Sequence, residues 1–243
     1  PLIAHLEVFC QFSDPQSLYL EPELFKLYNQ LLCHVNENVQ KAALDCVLSY
    51  KHPHVLPYKE RLERLLQDRH FKDEIVHFSI SEETSVVKPE HRADLMPVLM
   101  RLLYGRMRSK TGSKTEGKAA AGTRMAIVLR FLAGSQNEEI HMYLDLLYEP
   151  VSHLKDGSCL AMVQQSVEQL DLSKVLPLGR QHNIYNSLEV ALKNLGHLVL
   201  SYLPKILQIL LCMTASVTQA LEQRSKVKQI QSIIFNSFII LNL

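Results

Sequence analysis

Leucine-rich stripes at helical spacing recur along most of the chain, and the clearest two lie between Glu21 and Tyr50. Apolar residues at i, i+3, i+4, i+7 and i+8 form one face of a helix. Pro22 suits the first turn of the first helix, and Asn36 can cap the second. The pattern predicts two antiparallel amphipathic helices, an αα-hairpin. The apolar positions are Leu24, Leu27, Tyr28, Leu31 and Leu32 in the first helix and Val39, Ala42, Ala43, Cys46, Val47 and Tyr50 in the second.

Similar stripes return after Tyr50 and predict further helices. They cover residues 54–67, 95–103 behind Pro89, 125–132, 140–147 behind a capping box at 135–138, 188–202, and 206–211 behind Pro204. Helical hairpins at intervals of about forty residues are typical of HEAT or armadillo repeats. We therefore predict an all-α fold, a HEAT/armadillo-like α-solenoid of stacked antiparallel helical hairpins. Residues 1–105 and 125–243 would be HEAT-like repeats of one larger solenoid.

Two segments interrupt the helical pattern. Residues 81–87 are polar and acidic and predict a loop. Residues 106–124 are rich in Gly, Ser, Thr and Ala, have no apolar period, and predict a basic flexible loop with Glu116 as its single anion. Such a loop either contacts RNA phosphates, each contact adding sequence-independent affinity, or is simply well solvated. The candidate phosphate contacts are Arg106, Arg108, Lys110, Lys114, Lys118 and Arg124.

Composition narrows the class of protein. The chain has 243 residues, 47% of them hydrophobic, with 26 Lys and Arg against 25 Asp and Glu. This composition excludes a collagen-like or wholly disordered chain. With a formal charge of +1, the chain as a whole does not attract nucleic acid or anionic lipid electrostatically. The cysteines show no C-x-x-C spacing, so we expect free thiols and a reducing compartment. They are Cys10, Cys33, Cys46, Cys159 and Cys212.

Two apolar stretches bear on context. Residues 198–217 approach the length of a membrane span, but Pro204, Lys205 and Gln208 favour two buried helices that meet at residues 202–204. We therefore expect no membrane association. The chain starts at Pro1 and finishes in the apolar run 238–243, so we expect it to be a stretch of a larger protein.

The sequence shows no catalytic motif. It contains no G-x-x-x-x-G-K-[ST], G-x-G-x-x-G, H-E-x-x-H or G-x-S-x-G pattern. His52-Pro53-His54 is the only close histidine pair, and no carboxylate or cysteine follows nearby in the sequence to complete a metal set. We expect a turn there, and predict no enzymatic activity, catalytic residue, cofactor, metal site or small-molecule substrate.

Several stretches resemble one known family. Residues 87–107, VKPEHRADLMPVLMRLLYGRM, carry the resemblance, and "LYGR" at 103–106 is its most specific part. The similarity continues through 125–131, 138–140 and 202–211. The chain resembles component twenty of the small-subunit processome, a family of large HEAT-repeat nucleolar proteins that carry the "down-regulated in metastasis" domain.

The resemblance implies a non-enzymatic scaffold of 40S ribosome biogenesis in the nucleolus. Members of the family are expected to contact pre-rRNA, a box C/D small nucleolar RNA particle and other processome proteins during 18S rRNA maturation. The alternative is a protein-only HEAT-repeat adaptor, transport-receptor-like or phosphatase-scaffold-like, that binds partner helices or tails. The salt dependence of partner binding discriminates the two, because RNA contacts give a steep slope and apolar grooves a shallow one.

Overall fold

The computed structural model describes residues 1–84, 86–109, 117–169, 171 and 175–241, with the backbone alone described at 117–123 and 226–241. These residues form α-helices joined by 3₁₀ turns and short loops, with no strand among them. The predicted all-α fold is confirmed. The helices are α1 (Leu2–Phe9), α2 (Glu21–Leu31), α3 (Glu37–Ser49), α4 (Lys59–Leu66), α5 (Asp68–His77), α6 (Arg92–Arg108), α7 (Gly117–Leu132), α8 (Asn137–Leu147), α9 (Cys159–Glu168), α10 (Leu178–Leu195) and α11 (Leu203–Leu241).

The helices belong to two compact units, each built from two stretches of chain. The first unit contains Pro1–Leu146 and Val190–Val199, and the second contains Leu147–Glu189 and Leu200–Leu243. The division falls inside α10, whose residues up to Glu189 belong to the second unit and whose later residues belong to the first. Residues distant in sequence therefore complete each core.

The first unit consists of helices packed in neighbouring pairs. α2 packs on α3, α4 on α5, and α6 on α7, while α1 also packs on α3. The hairpin predicted between Glu21 and Tyr50 is confirmed, because α2 and α3 pack across the short connection at 32–36. The side chain of Asn36 caps α3 as predicted, accepting hydrogen bonds from the backbone N–H groups of Asn38 and Val39. This pairwise packing is typical of HEAT-like repeats.

Most of the apolar faces predicted for the first unit are buried. In α6 the whole predicted stripe is buried, as are Val39 to Val47 at the expected positions of α3. The predicted face of α2 is only half right, since Tyr28 and Leu32 are buried but Leu27 remains 40% exposed. The buried stripe of α6 is Leu95, Val98, Leu99, Leu102 and Leu103.

The second unit has α11 against α9 and against the 3₁₀ turn Glu149–Leu154. The predicted face of α11 is partly wrong, because Leu207 and Leu211 are exposed. Gln208 is buried instead, and its Nε2 donates to the carbonyl oxygens of Leu154 at 2.9 Å and Asp156 at 3.2 Å. These hydrogen bonds satisfy the Gln208 amide, so this polar side chain can lie in the interior. The buried apolar residues nearby are Ile206, Ile209, Cys212 and Met213.

The apolar stretch near α11 meets the length criterion of a membrane span. Among the described residues, Leu200–Ser225 is long and apolar enough to cross a membrane by composition alone, with a mean hydropathy of 1.4. The second helix begins close to the predicted place, at Leu203, but the helix predicted to continue to residue 202 ends at Leu195 and is followed by 3₁₀ turns at Gly196–Leu198 and Leu200–Tyr202. A third of the apolar window is buried within the protein. The buried third includes Gln208, whose inward hydrogen bonds are those of a helix face that packs on protein.

The predicted basic loop has different limits in the structure. Arg106 and Arg108 lie in the last turn of α6, and α7 begins at Gly117. The prediction of one loop over 106–124 is therefore wrong at both ends, and residues 110–116 lie outside the described ones. The residues 117–124 form helix because their three alanines are strong helix formers, a preference that needs no apolar period.

Candidate nucleic-acid interface

The six candidate phosphate contacts are distributed over three environments. Arg106 and Arg124 lie at least partly inside the first unit, while Arg108 is exposed at the end of α6. Lys110 and Lys114 lie outside the described residues. Lys118 lies in the helical backbone of α7, where the side chain is not described.

Arg106 is the fully buried member of an ion cluster whose carboxylates are partly exposed. Its side chain is fully buried, and its guanidinium lies 5.4 Å from the centre of the Phe71 ring. Nη2 donates to Asp68, and Nη1 lies 3.5 Å from a carboxylate oxygen of Glu37. A buried, doubly paired guanidinium is not accessible to an RNA phosphate. The assignment of Arg106 as a phosphate contact is therefore corrected: it stabilises the fold.

Arg124 extends the same cluster from α7. Its Nη1 donates to the carbonyl oxygen of Ser109 at 3.1 Å, and its Nη2 lies 3.6 Å from Asp68. Burial, and then repulsion by Arg106, lowers the pKa of Arg124, while Asp68 and Glu37 act in the opposite direction. The side chain is only 13% exposed. Arg124 thus holds the end of α6 against α7.

The cluster contains equal numbers of positive and negative charges, so it contributes no net positive charge to the predicted basic loop. Its two arginines face two carboxylates, Glu37 in the first turn of α3 and Asp68 at the start of α5. Carboxylates at helix N-termini are also stabilised by the helix dipole. Two of the six cations are therefore neutralised locally, and the cluster connects α3, α5, α6 and α7.

Arg108 is the one exposed member of the set among the described side chains. Its guanidinium lies 5.3 Å from the centre of the Tyr104 ring, a cation–π contact at the surface. The contact orients the guanidinium and leaves it hydrated. Arg108 and the three lysines remain a prediction as phosphate contacts.

The most specific part of the family resemblance has a packing explanation. Gln40 on α3 is fully buried, and its Nε2 donates to the carbonyl oxygens of Leu32 at 2.6 Å and Leu102 at 3.1 Å. A Cβ added to Gly105 would lie 2.2 Å from Gln40 Nε2 and 2.9 Å from the Leu32 carbonyl oxygen. Glycine is therefore needed where α6 meets the α2–α3 turn. In "LYGR", Gly105 and the buried Arg106 hold the fold.

A second group of polar side chains was missed by sequence analysis. The fold brings Asp94, in the first turn of α6, to the His52-Pro53-His54 turn. Asp94 Oδ2 lies 2.6 Å from His54 Nδ1, and Asp94 Oδ1 lies 3.9 Å from His52 Nε2. The sequence expectation of no nearby carboxylate considered neighbours in sequence alone, and Asp94 comes from a different element.

The fold and these clusters define a class: an all-α protein of HEAT-like helical pairs whose most specific sequence segment lies in the packed interior. A family model described as "U3 small nucleolar RNA-associated protein 20, N-terminal" matches residues 1–238. The chain belongs to this family, and the resemblance drawn from residues 87–107 is confirmed.

Two curated relatives carry the same name, U3 small nucleolar RNA-associated protein 20. The protein from Schizosaccharomyces pombe is 30% identical over 176 residues, 71% of this chain. The protein from Saccharomyces cerevisiae is 31% identical over 150 residues, 61% of this chain. The chain covers 7% and 6% of the length of these relatives.

Proposed function

We propose that the chain is part of a non-enzymatic scaffold of the small-subunit processome and acts in 18S rRNA maturation in the nucleolus. The observation that carries this proposal is the family match over residues 1–238. The curated relatives are named for association with U3 small nucleolar RNA. Pre-rRNA, a box C/D small nucleolar RNA particle and other processome proteins are the proposed partners.

The architecture supports a scaffold by its physical character. Helical pairs stacked in series present extended surface. The conspicuous polar clusters in the interior of the first unit are ion pairs that connect helices, such as Arg106 with Asp68 and Glu37. Helices that are fixed to one another by internal ion pairs can bind partners on their outer surface, and a scaffold needs no chemical reaction with those partners.

Within this function we propose that phosphates are bound by Arg108, Lys110, Lys114 and Lys118. These are the four candidate cations other than Arg106 and Arg124, whose charges are balanced by Asp68 and Glu37. The buried arginines hold α6 and α7, the two helices that flank residues 110–116. The contacts would be sequence-independent, because they neutralise phosphate charge and carry no base readout.

A fourfold variant tests the phosphate contacts. Replacing Arg108, Lys110, Lys114 and Lys118 with Gln should weaken binding to single-stranded pre-rRNA spacer fragments. Each lost phosphate contact reduces the slope of log K against log salt by about 0.7, so the four together reduce it by up to about 2.8. Helical content by circular dichroism should not change, because the buried cluster is untouched.

The matched control removes the same charge elsewhere on the first unit. Lys26, Arg69, Lys72 and Lys88 are exposed, and replacing them with Gln also removes one Arg and three Lys. This control should leave the slope unchanged. Equal slopes for the fourfold variant and the native chain would contradict the phosphate contacts.

Crosslinking in living cells tests the wider proposal. Full-length protein crosslinked to RNA should recover pre-18S spacer and small nucleolar RNA. Recovery of partner proteins without ribosomal precursors would instead favour the protein-only HEAT-repeat adaptor.

A further inference from the structure

The group formed by His52, His54 and Asp94 brings together ligands that are separated in sequence. The histidines lie in the turn between α3 and α4, and Asp94 lies in the first turn of α6. One ligand atom from each residue lies within 4.8 Å of the other two. The side chains are 47%, 37% and 40% exposed, so an ion in solution can reach them.

We propose that these three side chains bind a divalent metal of the zinc type. Two imidazole nitrogens and a carboxylate oxygen are a ligand set that Zn²⁺ accepts, with a fourth position open to water. Ligand atoms about 2.0 to 2.1 Å from a tetrahedral Zn²⁺ lie about 3.3 Å apart. His54 Nδ1 lies 2.6 Å from Asp94 Oδ2 and His52 Nε2 lies 3.9 Å from Asp94 Oδ1, and one atom from each residue lies within 4.8 Å of the other two. Small side-chain rotations therefore bring one carboxylate oxygen and both nitrogens to that spacing.

The surroundings hold His54 in place. Its ring stacks on His91 with ring centres 4.7 Å apart and an angle of 21° between the planes. The Tyr58 hydroxyl accepts the Lys88 backbone N–H at 3.1 Å and lies 3.0 Å from His91 Nδ1, to which it can donate its proton. Tyr58 is itself buried. Ligands oriented by such outer contacts lose less freedom when a metal binds.

His52 is the more adjustable ligand. Its Nδ1 accepts the backbone N–H of His54 at 3.3 Å, which places the proton of the neutral ring on Nε2 beside Asp94. A metal at Nε2 requires the proton on Nδ1, so binding replaces this long hydrogen bond. A metal at His54 Nδ1 likewise replaces the hydrogen bond from this ring to Asp94. We expect His54 to contribute more to affinity than His52, because its ring is less exposed and is stacked on His91.

Metal titration of the purified chain tests the site. Zn²⁺ is titrated by calorimetry, and Co²⁺ by visible absorption, which reports the coordination geometry directly. His54→Asn and Asp94→Asn should each weaken Zn²⁺ binding by more than tenfold and remove the Co²⁺ absorption band. His52→Asn changes a more exposed side chain and should weaken Zn²⁺ binding less. Because His52 lies outside α6, this variant tests the site without altering the first turn of α6, which Asp94→Asn changes.

The control is a histidine–aspartate pair without a second histidine. His77 and Asp73 on α5 form an exposed pair at 3.3 Å, so His77→Asn should bind Zn²⁺ like the native chain. Circular dichroism checks that every variant is folded. Unchanged affinity in folded His54→Asn and Asp94→Asn, or an equal loss in His77→Asn, would overturn the site and indicate nonspecific surface binding. The proposal does not depend on the phosphate contacts, and neither set of variants changes a residue of the other.

Discussion

At Gly105 the packing of α6 leaves no room for a side chain. The nearest atoms to an added Cβ are Gln40 Nε2 at 2.2 Å, the Leu32 carbonyl oxygen at 2.9 Å and the Cys33 carbonyl carbon at 3.0 Å. Two of these three are backbone atoms, which cannot rotate away as the end of a flexible side chain can. A substitution must therefore move a helix or break the hydrogen bonds of Gln40.

We expect Gly105→Ala to lower the free energy of unfolding by about 1 to 3 kcal/mol, the usual range for overpacking a filled core. Urea denaturation followed by circular dichroism measures the loss. Gly179→Ala is the matched control, because nothing lies within 4 Å of a Cβ there. Since Gly179 lies in α10, alanine should leave stability unchanged or raise it by up to about 1 kcal/mol. Equal stability of the two variants would contradict the close approach at Gly105.

The roles of Gly105 and Arg106 could not be predicted from the sequence alone. The sequence identified the "LYGR" segment as distinctive but offered no reason for its glycine, because Gln40 and Leu32 belong to other helices. It counted Arg106 among exposed cations, because charge clustering is visible in sequence and burial is not. The partner Asp68 is 38 residues away, on another element.

Among the elements, α6 and α8 are connected by a buried ion pair. Arg92 donates from Nε and Nη2 to the two carboxylate oxygens of Glu139, at 2.8 and 2.6 Å, and from Nη1 to the Ile80 carbonyl at 2.7 Å. Glu139 also accepts the backbone N–H of Gln136, which precedes α8. The capping box was predicted at 135–138, and the acid that reaches back is one residue later, because α8 begins at Asn137 and Glu139 is its third residue.

We expect Glu139→Gln to lower the free energy of unfolding by about 3 to 5 kcal/mol, since it leaves Arg92 buried without a carboxylate. Thermal and urea unfolding measure the effect. Lys59→Gln is the comparison, because Lys59 and Glu63 form an exposed pair at 3.8 Å whose loss costs about 1 kcal/mol or less. If the two substitutions were equally costly, the Arg92–Glu139 pair would not stabilise the fold as its burial indicates.

How far the sequence predicted each element depended on its amphipathic pattern. All five predicted positions of α6 are buried, but Met96 and Met100 are buried as well, so the buried surface of this helix is wider than one stripe. α5 was missed, because only Phe71 and Ile75 represent its core-facing side among many charged residues. The buried face of α11 was partly misassigned, because leucines occur on several sides of this helix and one of its buried positions is the polar Gln208. Periodicity fails where apolar residues are either too few or too many.

At the scale of the whole molecule, the two units are interleaved in sequence. Residues 190–199 return to the first unit after 147–189 have contributed to the second. Three of the returning side chains are buried: Ala191, Leu195 and Val199. The sequence predicted helical segments on each side of a basic loop, but contiguous division could not reveal that α10 supplies both cores.

This arrangement gives two leucines on one helix different expected effects. Leu188 and Leu195 are both buried in α10, yet Leu188 belongs to the second unit and Leu195 to the first. Replacing a buried leucine with alanine costs about 2 to 5 kcal/mol by lost burial and by the cavity left behind. The cost should appear in the unit whose core contains the side chain, whatever its place in the sequence.

Hydrogen exchange measured by mass spectrometry locates that cost. Leu195→Ala should speed exchange in peptides from the first unit, and Leu188→Ala should do so in peptides from the second unit, because local opening follows the loss of core contacts. Each variant serves as the control for the other, with the same substitution two helical turns apart. Faster exchange in the same peptides for both variants would mean that α10 serves a single cooperative core. Distinct peptide sets would show that the chain folds as two interleaved units, each stabilised by one half of the same helix.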